Sequence, residues 1–301
     1  MKKILFILIS MYVFMICCSN KKQQNNILEI PEYKTEPIIF DSSHAKLNWL
    51  ENYKTANKLI NSIPLPEGYE RENISKSSFS YWLRQLPIDK KDNIVHLYNG
   101  DEKRIQSSQY AILDIDVGKE DLQQCADAVM RLRSEYFYHT NQFDKIHFNY
   151  TSGDNASWDA WRSGKRPIIN SNNVSWQQKY GTDNSYDNFK NYLRNVFMFC
   201  GSLSLSRELK TKSNIHEIQA GDVFIKGGTP GHAEIVLDVA VNKKTGKKIF
   251  LLAQSYMPAQ EIHILKNPTN ESLSPWYEED FDEELVTPEY TFSRNMLMSF
   301  E

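Results

Sequence analysis

The chain has 301 residues, 41% of them hydrophobic and 24% charged, with a formal net charge of −3. That length suits one sizeable domain carrying insertions. The mild, mixed charge includes no basic block of the kind that binds nucleic acid, so no nucleic-acid partner is expected.

The opening stretch, MKKILFILISMYVFMICCSN, has a basic start at Lys2 and Lys3 and an apolar run from Ile4 to Ile16. Cysteines stand where cleavage would fall, so residues 1–17 read as a secretory signal. The run is short for a membrane span. Its end resembles a bacterial lipobox with Cys18 as the lipidated residue, and SNKKQQNN after it would serve as a polar tether within residues 18–43. A lipid at Cys18 would hold the protein at a membrane without making the folded part, residues 44–301, a membrane protein. The basic SNKK carries no acidic surface-export run, which favours the periplasmic side of a bacterial outer membrane. Beyond Cys17 and Cys18 only Cys125 and Cys200 remain, giving one disulfide or two free thiols and excluding a disulfide framework.

SSFSYWLRQLP predicts a short amphipathic helix capped by Ser77 or Ser78 and ended by Pro87. NIVHLYNG predicts a strand closing in an Asn-Gly turn, and YAILDIDVG a second strand. KEDLQQCADAVMRLRSEYFYHT predicts a helix of about five turns, since Leu122, Cys125, Ala126, Val129, Leu132, Arg133 and Tyr136 recur at helical spacing. SYDNFKNYLRNVFMFCGSLSLSRELK predicts another helix, broken near Gly201. Hairpin strands follow at Asp222 to Ile225 and Ala233 to Ala240, then IFLLAQSYM and EIHIL. The acidic YEEDFDEELV reads as a solvated face. Helices first and a small antiparallel sheet late make an α+β fold with insertions.

GDVFIKGGTPGHAEIVLDVA, continuing through GKKIFLLAQSYMPAQEIHIL, resembles the second half of the NlpC/P60 and CHAP cysteine hydrolases of the papain-like group. Those enzymes carry a Gly-Asp turn and strand, a loop, a Gly-His that opens the next strand, and a polar residue on a third strand. Asp222, His232 and Gln254 occupy these positions here, although Asp222 is expected to bond its own turn backbone. The resemblance implies a papain-like fold and amide hydrolysis, such as that of cell-wall peptides. Cys125 would be the nucleophile, His232 the base and Gln254 the residue that orients it, with no cofactor or metal. Beyond the lipid site the chain also resembles a family of uncharacterised Bacteroidetes lipoproteins, which supports an envelope location. The five-turn helix would place Cys125 two turns in, where it fits a structural thiol equally well. Cys200, at the C-terminal end of a helix, is the poorer nucleophile.

TSGDNASWDAWRSGKRP is the richest recognition candidate, because Trp158, Trp161, Arg162 and Arg166 suit sugar rings and carboxylates such as those of peptidoglycan. Both tryptophans could equally plug the core. The rival to an enzyme is a monomeric, non-catalytic envelope protein that uses this segment to hold glycan or peptide on a degenerate hydrolase fold. No histidine pair has metal-ligand spacing, and Glu261 with His263 reads as exposed strand decoration.

Overall fold

Apolar strands buried along almost their whole length build the centre of the computed structural model, which describes residues 47–50 and 53–300. The signal segment, Cys18 and the tether to residue 43 lie outside the described residues. Strands Val223–Lys226 and His232–Asn242 pair antiparallel, with Val223 opposite Ile235 and Lys226 opposite His232. Gly246, at φ 73°, supplies the left-handed turn that returns the chain as strand Lys248–Gln254.

Among the described residues these three strands form the middle of a nine-stranded sheet whose neighbours are all antiparallel. His263–Leu265 and then Gln109–Ile112 extend it beyond Lys248–Gln254. Leu297–Ser299 and Lys210–Thr211 extend the other side. Tyr69–Arg71 pairs with the far end of His232–Asn242, and Trp276–Glu278 with the start of Lys248–Gln254. The α+β class holds, but the sheet is neither small nor confined to the late chain, because strands from residues 69 and 109 complete its edges.

The strand period of two sorts side chains onto two covered faces. Leu237, Ile249, Leu251 and Ala253 join Val129 and Leu132 of helix Cys125–His139 and Phe189, Tyr192 and Val196 of helix Tyr186–Phe199 in one core. Val236, Val239, Phe250 and Leu252 join Tyr277, Leu285 and Phe292 in a second. Hence the acidic segment YEEDFDEELV is only partly a solvated face: Tyr277, Glu279 and Leu285 are buried.

Helix Phe79–Arg84 begins where Ser78 accepts the Tyr81 N–H, the cap that the sequence suggests. Its Arg84 reaches into the sheet and meets the buried Asp238 at 2.6 Å, with Arg71 on the other carboxylate oxygen at 2.6 Å. The predicted break near Gly201 separates Tyr186–Phe199 from helix Ser202–Glu208. NIVHLYNG forms isolated bridges from His96 to Glu102 and from Leu97 to Gln260, instead of a strand. Among the described residues no helix is long and apolar enough to cross a membrane.

Candidate active site

Cys125 is the first residue of its helix, not a residue two turns inside it. KEDLQQ has good helix formers, but tertiary bonds claim it. Asp121 Oδ1 accepts the Ala259 N–H at 2.6 Å, and the Gln123 carbonyl accepts the Ser255 hydroxyl at 2.9 Å. The helix therefore starts only after Gln124, whose N–H donates to Asp127 Oδ2 at 3.1 Å. First-turn N–H groups have no partner within a helix, so they present positive charge to a thiolate at this position. Cys125 is half-buried, and both it and Cys200 are free thiols.

His232 opens its strand behind the loop Gly227–Gly231. A Cβ on Gly231 would lie 2.3 Å from the Gly228 carbonyl oxygen and 2.4 Å from Ser202 Oγ, so the close approach of this loop to helix Ser202–Glu208 requires glycine. The imidazole is buried between Tyr256 and Tyr290, with ring centroids 4.8 and 4.9 Å away. Its Nε2 lies 2.7 Å from Gln254 Oε1 and 3.6 Å from Glu234 Oε1. Burial works against charge on this ring, but the neighbouring Cys125 thiol and Glu234 carboxylate outweigh it and push the imidazole up to about 10.

Gln254 and His263 are direct cross-strand partners. Gln254 Nε2 donates to Glu289 Oε2 at 2.7 Å and faces His263 Nε2 at 3.3 Å. His263 Nδ1 lies 2.9 Å from the Glu261 carbonyl oxygen, an acceptor, so Nδ1 carries the proton and Nε2 is the acceptor. Burial and the nearby Lys103 charge lower His263 to about 4. This histidine is wholly enclosed, not exposed strand decoration as expected. Lys103, itself buried, pairs with Glu289 and donates to Ser108 Oγ at 2.9 Å.

The thiol and imidazole open onto a cleft of about 700 Å³ walled by Met198, Gly201, Pro230, Tyr256 and Met257. Cys200 lines the same cleft, but burial pushes its thiol well above the ordinary range, with Glu208 and Asp127 adding to the shift. Asp222 does not reach the cleft. It accepts the Gln219 N–H at 2.8 Å and pairs with Lys212 at 2.7 Å, the turn role expected of it.

The SWDAWRSGKR segment does not supply the cleft's wall. Trp158 is fully buried, and Trp161 is buried with its Nε1 donating to Asn188 Oδ1 at 3.0 Å. Arg162 pairs with Asp159 at 2.6 Å. Arg166 stacks 4.0 Å over the Trp161 ring. Here the core-plug reading holds for both indoles, because the aromatic residues of Tyr186–Phe199 pack directly on them.

Sequence reasoning missed Glu234 and Glu289. Glu234 could have been found from its position two residues after His232, which places both on one face of a strand. Glu289 had no local signal, as it comes from a loop far along the chain.

The family model described as "Domain of unknown function (4846)" matches residues 59–299, a span that contains Cys125, His232 and Gln254. No curated protein and no solved structure matches the chain. On the extent of that match, the chain belongs to the family described as Domain of unknown function (4846).

Proposed function

We propose that this protein is a lipid-anchored cysteine hydrolase that cleaves amide bonds, with cell-wall peptides as the candidate substrates, on an α+β frame related to the NlpC/P60 and CHAP hydrolases. The observation that carries the reading is a thiol at the first position of a helix, lining the same open cleft as a buried histidine that an amide oxygen holds at 2.7 Å. A cysteine needs such a base and such a positive helix end to act as a thiolate at neutral pH.

The amide of Gln254 sets the tautomer. Its Nε2 faces an acceptor-only carboxylate, so its Oε1 must face His232 and accept the Nε2 proton. Nδ1 is then the nitrogen that takes the Cys125 proton. Cys125 Sγ forms a bond to the amide carbonyl carbon, and the carbonyl oxygen takes up negative charge near the Cys125 N–H at the helix start. The C–N bond breaks as His232 returns the proton to the leaving amine, leaving a thioester. Water then attacks the thioester with His232 as base, releasing a carboxylic acid and the Cys125 thiol.

The basic, apolar and cysteine-ended start of the sequence, Lys2 to Cys18, supports secretion and a lipid anchor in a bacterial envelope facing the periplasm. The rival glycan- or peptide-binding reading has less support, since the indoles it relied on are buried. The test is the pH dependence of Cys125 alkylation in the soluble part of the chain, beside the His232→Ala variant. Fast labelling at neutral pH that collapses without His232 supports the hydrolase. Labelling only after denaturation in both proteins overturns it.

A further inference from the structure

We propose that Glu234 is the acidic member of this centre, a positioning residue whose carboxylate holds the charged His232 ring behind Cys125. This rests on the hydrolase reading and adds a residue to it. A glutamine can orient an imidazole, yet it has no charge to offset the imidazolium formed when the thiol ionises.

Glu234 is two residues beyond His232 on the same strand and wholly inaccessible to solvent. Its Oε1 lies 3.6 Å from His232 Nε2 and accepts the Thr287 hydroxyl at 2.8 Å. Its Oε2 is buried with no hydrogen-bond partner among the described residues. Burial pushes the Glu234 carboxyl above the usual carboxylate range while His232 and the Thr287 hydroxyl pull it back down, so its ionised form depends on that nearby positive charge.

The groups facing the ring identify that charge. Cys125 comes from the helix, Tyr256 from the loop after Gln254 and Tyr290 from the loop beyond Thr287, whose Glu289 faces the Gln254 amide. The nearest cation of the network, Lys103, is held by Glu289 on the far side of Gln254. His263 is kept neutral by burial and by Lys103. His232 is therefore the cation to which Glu234 is matched, while the Lys103–Glu289 pair balances itself and fixes the Gln254 amide. Orientation comes from Gln254 and charge from Glu234, two jobs that a single carboxylate would otherwise combine.

The experiment separates this role from the hydrolase reading by removing the thiol. In Cys125→Ala, imidazole ¹⁵N NMR should find His232 doubly protonated above pH 8, because Glu234 alone still holds it. In Cys125→Ala combined with Glu234→Gln, the protonation midpoint should fall by at least one pH unit, and Glu234→Asp should restore part of it. With Cys125 present, Glu234→Gln should move the midpoint of Cys125 alkylation up by at least one pH unit, slowing neutral labelling at least tenfold. A His232 already neutral at pH 7 in Cys125→Ala overturns the proposal, and this needs no change at Glu234. An unchanged alkylation profile in folded Glu234→Gln also overturns it. Unreactive Cys125 in the unaltered protein, with His232 still charged in Cys125→Ala, sinks the hydrolase and leaves the ion pair standing.

Discussion

Gln254 Oε1 accepts the His232 Nε2 proton across 2.7 Å, and the other end of the same amide is held by Glu289 at 2.7 Å. One side chain thus joins His232 to a buried Lys103–Glu289 pair. Gln254→Ala should leave the ring without its acceptor and slow Cys125 labelling by about tenfold to a hundredfold, the rate equivalent of about 1–3 kcal/mol for a lost buried hydrogen bond. Labelling kinetics with a neutral haloacetamide measure it, and an unchanged rate would remove Gln254 from the centre.

His263 makes the fold acid-sensitive. Its imidazole is lowered from an ordinary 6.5 to about 4, so the unfolded chain takes up the proton first as pH falls. The contribution is present in full above about pH 6.5 and is lost progressively as pH falls through 4, on the order of 3 kcal/mol. Denaturant midpoints at pH 7, 5 and 4 should drop more steeply in the natural protein than in His263→Asn, which has no proton to bind. Parallel slopes would refute the assignment.

Asp238 anchors helix Phe79–Arg84 to the sheet through Arg84 and Arg71. Asp238→Asn leaves two guanidinium groups facing a neutral amide, one of them buried. A loss of about 3–5 kcal/mol is expected, as for other broken buried pairs. Chemical denaturation reads it directly.

Trp158 separates core from recognition. Trp158→Ala should cost about 3–5 kcal/mol by opening a cavity among Phe143, Phe189 and Tyr192. The folded fraction should label at Cys125 at the natural rate, since the indole does not line the cleft. A stable Trp158→Ala protein with altered binding of cell-wall fragments would return the segment to a recognition role.

Two thiols share the cleft, and they should differ sharply. Burial pushes the Cys200 thiol up, so mass-spectrometric mapping after brief alkylation at neutral pH should find the label on Cys125 and not on Cys200. Label on Cys200 alone would contradict the assigned nucleophile.

Much of this architecture is readable along the chain, because it is written in local periodicity. GDVFIK and HAEIVLDVAVN are apolar, β-branched runs bounded by turn residues, as buried strands are, and Ser78 caps a helix whose apolar residues recur at helical spacing. Cys125 was the harder case. Composition favoured a helix from Lys119, and it begins at Cys125 because Ala259 and Ser255, more than a hundred residues away, bind Asp121 and Gln123 first. The same limit applies to TSGDNASWDAWRSGKRP, whose loop-like composition hides a short helix, Trp158–Arg162, packed on Tyr186–Phe199, and the start of the strand Lys165–Asn170.

The sequence by itself determined the α+β class and the hairpin that presents His232, since each depends on residue type and short-range pattern, while Cys125, His232 and Gln254 were nominated as a set by the resemblance to NlpC/P60 hydrolases. Tertiary structure alone decided that the cysteine stands at a helix start, that Glu234 and Glu289 back the imidazole, and that Trp158 is core. These depend on contacts between residues far apart in the chain. Burial and competing hydrogen bonds choose among such contacts, and no local period records that choice.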